Sequence, residues 1–213
     1  MPSVGIDLGL KDLLTTSAGD KVEAQRFYRD LEPALATAQR TNKKCRTRSI
    51  HAKIANRRKD HLHKLSRALV NANAAIFVGN VNASGLAKTR MAKSVLDAGW
   101  STFRTMLLYK CADAGAWFEE VNEAHSTSTC SACHARSGPK GLEGLGREWT
   151  CTECGTHHDR DVNAARIILA RGHARLAVGI PVLGEDVNSS QIALVFPQPI
   201  FGDFGLCVSR WRW

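Results

Sequence analysis

Residues 151–165 read CTECGTHHDRDVNAA, and the reading of this stretch decides the fold. It sets a thiol pair, two histidines and two aspartates side by side, enough for one metal site or for parts of two. Its first half belongs with an upstream pair. Cys130-x2-Cys133 and Cys151-x2-Cys154 are separated by residues 134–150, the spacing of a four-thiolate zinc site. Two thiols three positions apart on a tight turn converge on one ion, and two such turns complete a tetrahedron with Zn–S bonds of about 2.3 Å. Between the pairs lies SGPKGLEGLGRE (residues 137–148), too glycine-rich to build a core, so the ion must hold it. A structural zinc contributes on the order of 10–16 kcal/mol in finger peptides. The alternative is a pair of redox CxxC motifs, but no thioredoxin-like pattern surrounds them. Four thiolates leave no open coordination position, so this Zn2+ reads as structural. His157 and His158 are then spare, and read as turn residues or as residues facing nucleic acid.

The second half, DRDVNAA, points to another site. Asp161 opens the helical pattern DVNAARIILARG, which reads as ending at Gly172. An acid is favoured at a helix start by the dipole alone, so capping is one reading of it. Asp7 adds weight to another. It lies mid-strand in VGIDLG, where a buried carboxylate is costly unless paired or bound to a cation. Gly9 beside it leaves room for a ligand to approach. An Asp on a first strand followed by a hairpin, with a second Asp opening the last helix, is the layout of an RNase H-like nuclease. Such sites hold two divalent ions roughly 3.5–4 Å apart that activate water for phosphodiester cleavage.

The whole chain is compatible with this. It has 213 residues, 44% hydrophobic and 23% charged, which suits one core plus a small satellite. No apolar run reaches the roughly 18 residues of a membrane span. The opening MPSVGIDLGLKDLL lacks the basic flank and long apolar stretch of a signal peptide, so a cytoplasmic protein is expected. With no export signal, the seven cysteines argue against a disulfide framework, and Cys45, Cys111 and Cys207 read as ordinary thiols. The net charge of +9 suggests a polyanionic partner, most simply nucleic acid.

Along the chain, SVGIDLGLKDLLTTSAGDKVEA reads as three short strands with a tight turn at Ala18-Gly19-Asp20. Residues 30–74 read as helix. Between residues 40 and 67 this segment carries eleven Lys and Arg against a single acid, Asp60. Arg46, Arg48, Lys53, Arg57, Arg58 and Lys59 are therefore candidate phosphate contacts, with a merely solvated face as the alternative. NAAIFVGNV suits a buried strand, SGLAKTR a loop, residues 94–115 a helix and AWFEEV another strand.

Taken together, GIDLG, the CxxC…CxxC ribbon and DRDVNAARIIL resemble the RuvC-like nuclease half of the TnpB (OrfB) proteins of bacterial insertion sequences, relatives of the type V CRISPR effectors. The resemblance covers about residues 3–173. It implies an α/β, RNase H-like (RuvC) mixed sheet with a long helical insertion and a zinc ribbon inserted before the last helix. The corresponding divisions are a core over 1–125 including the basic segment 30–74, a ribbon over 126–160, a last helix over 161–173 and a loosely ordered tail over 174–213. It also implies a Mg2+-dependent, RNA-guided DNA endonuclease in a bacterial cytoplasm, with DNA and guide RNA as partners and Asp7 and Asp161 as catalytic acids. Members often carry the name transposase.

Two departures from that pattern matter. The family begins with a long region that grips guide RNA, whereas this chain starts at the first RuvC strand, so the guide-binding region is expected to be lacking. The family's middle acid, a Glu closing the fourth strand, is replaced in Val78-Gly79-Asn80-Val81 by Gly79. AWFEEVNEAHS on the adjacent strand supplies Glu119, Glu120 and Glu123. Glu123, nearest the strand's end, is the expected substitute, with three surface acids as the alternative and an open space expected at Gly79. The competing functional reading is a catalytically inactive nucleic-acid-binding derivative or decayed fragment.

Overall fold

The computed structural model describes residues 2–139 and 146–179. A hairpin opens the chain: β1 (Ser3–Leu8) pairs antiparallel with β2 (Asp12–Thr16), which pairs with β3 (Lys21–Glu23). Two helices follow, α1 (Phe27–Arg40) and α2 (Lys44–Ala72). Next come β4 (Ala75–Gly79), α3 (Ala83–Leu86), α4 (Ala92–Ala98), α5 (Trp100–Ala114) and β5 (Trp117–Val121). A two-stranded ribbon, β6 (Glu148–Thr150) with β7 (His157–Asp159), precedes α6 (Arg160–Gly179). The main sheet has the order β3-β2-β1-β4-β5, with β1, β4 and β5 parallel. The architecture is thus mixed α/β on a mixed sheet.

Strand alternation assigns the two faces. Val4, Ile6 and Leu8 of β1 and Ile76 and Val78 of β4 pack with Leu62 and Val70 of α2 and Phe103 and Leu107 of α5. On the other face Phe77 and Val121 pack with Ile168 of α6. By parity, Gly5 and Asp7, Phe77 and Gly79, and Val121 and Glu123 all belong to the α6 side. The helix lies very close there: a Cβ at Gly5 would fall 2.2 Å from the Ala165 carbonyl, and one at Gly172 would fall 2.1 Å from the Phe77 ring.

Several element boundaries differ from the sequence reading. Gly172 does not stop the last helix, which runs to Gly179; its glycine serves the close approach to Phe77 rather than a cap. Residues 174–179 are therefore helix and not tail, and 180–213, with Cys207, lie outside the described residues. The span 30–74 is two helices, not one. Asn42 takes φ 52, Asn42 N–H donates to Gln39 O and Lys43 N–H to Ala38 O, the Schellman pattern that closes a helix on a left-handed residue. Gly99 at φ 67 likewise divides 94–115 into α4 and α5. SGLAKTR is not all loop, because the Asn82 side chain accepts from Gly85 N–H and caps the short α3. No helix among the described residues is long and apolar enough to cross a membrane.

Candidate metal centres

The four cysteines converge. Cys130, Cys133, Cys151 and Cys154 have all Sγ atoms within 4.8 Å of one another. Cys130 and Cys154 are 3.7 Å apart and Cys133 and Cys151 3.6 Å. A tetrahedral ion with Zn–S bonds of about 2.3 Å requires S···S edges of about 3.8 Å, close to these two separations, so the set could hold a metal such as zinc. Ser137 Oγ, 2.9 Å from Cys151 Sγ, and backbone N–H groups hold that thiol down at about 6, toward the thiolate a metal needs. Around Cys133 the Ala135 amide pulls the thiol down, but desolvation and the neighbouring sulfurs outweigh it and push it up to about 12. Without a cation the cluster cannot fully ionise.

His158 is not a nucleic-acid-facing residue. It is 3% exposed, packs on Trp149 with ring centroids 4.7 Å apart, and sets Nε2 3.1 Å from Cys130 Sγ. Desolvation first, then Arg166 and His157, depresses its pKa and keeps the ring neutral. It backs Cys130 and stands outside the four-thiol set. His157 is exposed, beside Thr150 and Glu148.

The second cluster lies where β1, the segment after β5 and the start of α6 meet. Asp7, Asp12, Glu123 and Asp161 line one cavity of about 350 Å³ together with Arg147 and Arg160. Asp161 does not cap α6, because Asp159 does so: its Oδ1 accepts from the N–H groups of Asp161 and Val162, while Lys21 pairs with its other oxygen at 2.6 Å. Asp161 is thereby left for the cavity. Asp7 has its pKa raised to about 7, by burial first, then by the charges of Glu123 and Asp161. Burial also raises Glu123, against Arg104. Asp7 is thus disfavoured as a carboxylate by burial and by two acids that line the same cavity, an oxygen donor set that suits a hard divalent cation such as Mg2+.

The three candidate acids after β4 part company. Glu119 pairs with Arg175 at 2.8 Å and Glu120 with Arg104 at 2.9 Å. Glu123 alone of the three lines the cavity. The expected open space at Gly79 is instead filled: a Cβ there would meet Glu123 Oε2 at 2.5 Å. The reason is register. Gly79 pairs with Val121, so a side chain two residues beyond Val121 folds back over the bare glycine. Gly9, read as room for a ligand, lines the cavity but also admits the Asp12 carbonyl, 2.7 Å from where its Cβ would be.

Sequence reasoning missed Arg147. Its Nη1 lies 3.1 Å from Asp12 and 3.5 Å from Asp161, reaching from the ribbon into the cavity. Nor was Asn163 foreseen. Buried at 1% exposure, it accepts from Ser131 N–H and donates to Ser126 O and Thr129 O, fastening the ribbon to α6. Only the DVN spacing after Asp161 could have flagged it.

The basic residues are spread along α2 rather than gathered at either centre. Arg46, Arg48, Lys53, Arg57 and Lys59 are exposed. Arg58 is the exception to the expected phosphate face. It pairs at 2.9 Å with Asp97, which is 6% exposed and also accepts from Tyr28 N–H, so it clamps α2 to α4.

The OrfB_IS605 family, described as "Probable transposase", matches residues 2–90, and the "Cas12f1-like, TNB domain" family matches 100–168. A Streptomyces pristinaespiralis protein named "Putative RNA-guided DNA endonuclease" is 39% identical over 83% of this chain and 47% of its own length. The InsQ protein of Escherichia coli K12, named in the same way, is 30% identical over 83% of this chain and 50% of its own. The chain thus spans about half the length of these curated relatives. A chain in the cryo-EM structure of a Cas12f1–sgRNA–target DNA complex shares the fold, with TM-score 0.59 and 16% identity over 78% of this chain and 49% of that one. With the OrfB_IS605 model over its first part, the TNB model over its second and relatives named RNA-guided DNA endonuclease or TnpB-like along most of its length, the chain belongs to the OrfB/TnpB family.

Proposed function

We propose that this chain is the nuclease portion of an RNA-guided DNA endonuclease, with an RNase H-like (RuvC) core, Mg2+ at Asp7, Glu123 and Asp161, and a structural zinc at the four cysteines. The observation that carries the reading is the Glu123 carboxylate lying over Gly79, in the cavity that Asp7 and Asp161 also line. Three acids from separate segments supply the charge that a two-ion site requires. The sheet order, a hairpin on one side of β1 and parallel strands on the other, supports the RNase H-like assignment. Bound Mg2+ would activate the attacking water and stabilise the leaving oxygen. The protein's own part is to hold three carboxylates on one face, with the exposed cations of α2 available to a phosphate backbone. The relatives' names support guide RNA and DNA as partners.

The test is nicking of supercoiled plasmid in Mg2+, by this chain alone and joined to the part of the Streptomyces relative that it does not match. Asp7→Ala, Asp161→Ala and Glu123→Gln are each expected to reduce cutting by at least a hundredfold, about 2.7 kcal/mol at the barrier. If Glu123→Gln cuts normally while Glu119→Gln or Glu120→Gln does not, the wrong acid has been chosen. Binding without nicking in either format supports the competing reading, a nucleic-acid-binding derivative, which the replacement at Gly79 favours.

A further inference from the structure

Glu123 lies beyond the end of β5, in a segment with no strand partner of its own, yet its neighbours are fastened from two directions. From one side, the Asn80 Oδ1 accepts a hydrogen bond from the Glu123 N–H at 3.2 Å. Asn80 itself is fixed by its own N–H, which donates to Val121 O at 3.0 Å. From the other side, Arg171 Nη1 donates to the carbonyls of Asn122, at 2.6 Å, and Ala124, at 3.0 Å. These carbonyls bracket Glu123. Arg171 belongs to α6, the helix whose first turn holds Asp161.

We infer that Arg171 and Asn80 are positioning residues for the Glu123 carboxylate, and that α6 therefore sets two of the three acids: Asp161 directly and Glu123 through Arg171. This rests on the reading of Glu123 as a metal ligand. The physical need is plain. A carboxylate at the end of a strand is aimed by the pairing on both sides of it, whereas one on a following segment has only what its backbone can find. A guanidinium spanning two carbonyls and an amide receiving the Glu123 N–H fix the peptide plane that enters Glu123 from both its edges and the plane that leaves Ala124. They also explain why Asn stands at residue 80, where the side chain must accept a backbone proton. Groups that orient metal ligands from behind are typically worth about 10–100-fold in metal affinity.

The experiment measures Mn2+ binding to the zinc-loaded full chain, by the loss of the free-ion electron paramagnetic resonance signal, with thermal unfolding followed in parallel. Glu123→Gln is expected to weaken Mn2+ binding, and Arg171→Ala and Asn80→Ala to weaken it by about tenfold. Arg171→Lys should recover most of the loss, because a single nitrogen makes both bonds and an ammonium can reach the same two carbonyls. In the Glu123→Gln background, adding Arg171→Ala should change nothing further. A full second loss there, or wild-type affinity in both Arg171→Ala and Asn80→Ala beside a weakened Glu123→Gln, overturns the inference and leaves the reading of Glu123 intact. Wild-type affinity in Glu123→Gln overturns that reading and the inference together. If Arg171→Ala does not fold, Asn80→Ala and Arg171→Lys carry the same test from the other side and by conservative replacement.

Discussion

At the scale of single residues, burial first, and then the charges of Glu123 and Asp161, disfavour an ionised Asp7. A carboxyl with an ordinary value of 3.8 that is held at about 7 in the folded protein binds a proton the unfolded chain has released. Between those two values the folded state holds more protons, so stability falls as pH rises, and the cost is complete above about 7. Asp7→Asn removes it. In Mg2+-free buffer at pH 8 this variant is expected to be more stable than the wild type by roughly 2–4 kcal/mol, the advantage vanishing as pH falls toward 4. Thermal melts across that range check it. Added Mg2+ should reverse the order, since an ion bound only by the folded wild type stabilises it alone. A variant no more stable than wild type at pH 8 would show that Asp7 carries no electrostatic strain. Lys110 tests burial of the opposite sign. It is 4% exposed, donates to His63 O and Ser66 Oγ, and burial first, then Arg67, lowers its pKa. Because the folded value lies below the unfolded one, its penalty is present at neutral pH and is relieved as pH rises between them. Lys110→Met is therefore expected to leave stability at pH 7 unchanged or to raise it by about 1 kcal/mol, measured by urea unfolding.

At the scale of elements, α2 shows that a run of like charges does not make every member equivalent. Arg57 and Lys59 point to solvent, whereas Arg58 between them turns toward α4 and Asp97. Replacing Arg57 and Lys59 with Ala is expected to weaken binding to duplexes of any sequence. It should also flatten the dependence of log K on log salt by about 0.9 for each phosphate no longer neutralised, with the melting temperature unchanged. Arg58→Ala should do the opposite: little change in the salt slope, but a loss of roughly 2–4 kcal/mol in urea unfolding, because Asp97 is left buried without its cation. An unchanged slope in the first variant returns α2 to the role of a solvated face. Helical periodicity could not separate these neighbours, since the direction of a long side chain depends on what the next helix offers it.

At the scale of the whole molecule, ribbon and core are joined through α6. Asn163 makes three hydrogen bonds to the ribbon's first turn from a fully enclosed position. Asn163→Ala leaves those backbone groups without partners and should cost about 1–3 kcal/mol. Removing the zinc with a strong chelator is expected to release amide protection across residues 128–139 and 146–158 in hydrogen exchange, while β1 and β4 keep theirs. Protection retained in the ribbon after zinc loss would show that the thiols are not its main tie. Much of this molecule was legible beforehand for local reasons. The thiol spacing announced a convergent set, because two CxxC turns can meet at only one ion. Strand alternation announced the element types, and the placement of Asp7 in an apolar strand announced a carboxylate in need of a partner. What the sequence could not determine lies wherever two distant segments face each other. The occupation of the space at Gly79 by Glu123 follows from the β4–β5 register, and the length of α6 follows from Gly172 meeting Phe77 rather than closing a helix. The same is true of His158 behind Cys130, Arg58 on Asp97 and Arg171 behind Glu123. Spacing along the chain records local geometry, but the partner of a buried charge or an unpaired backbone group is chosen only when the sheet and its helices close around it.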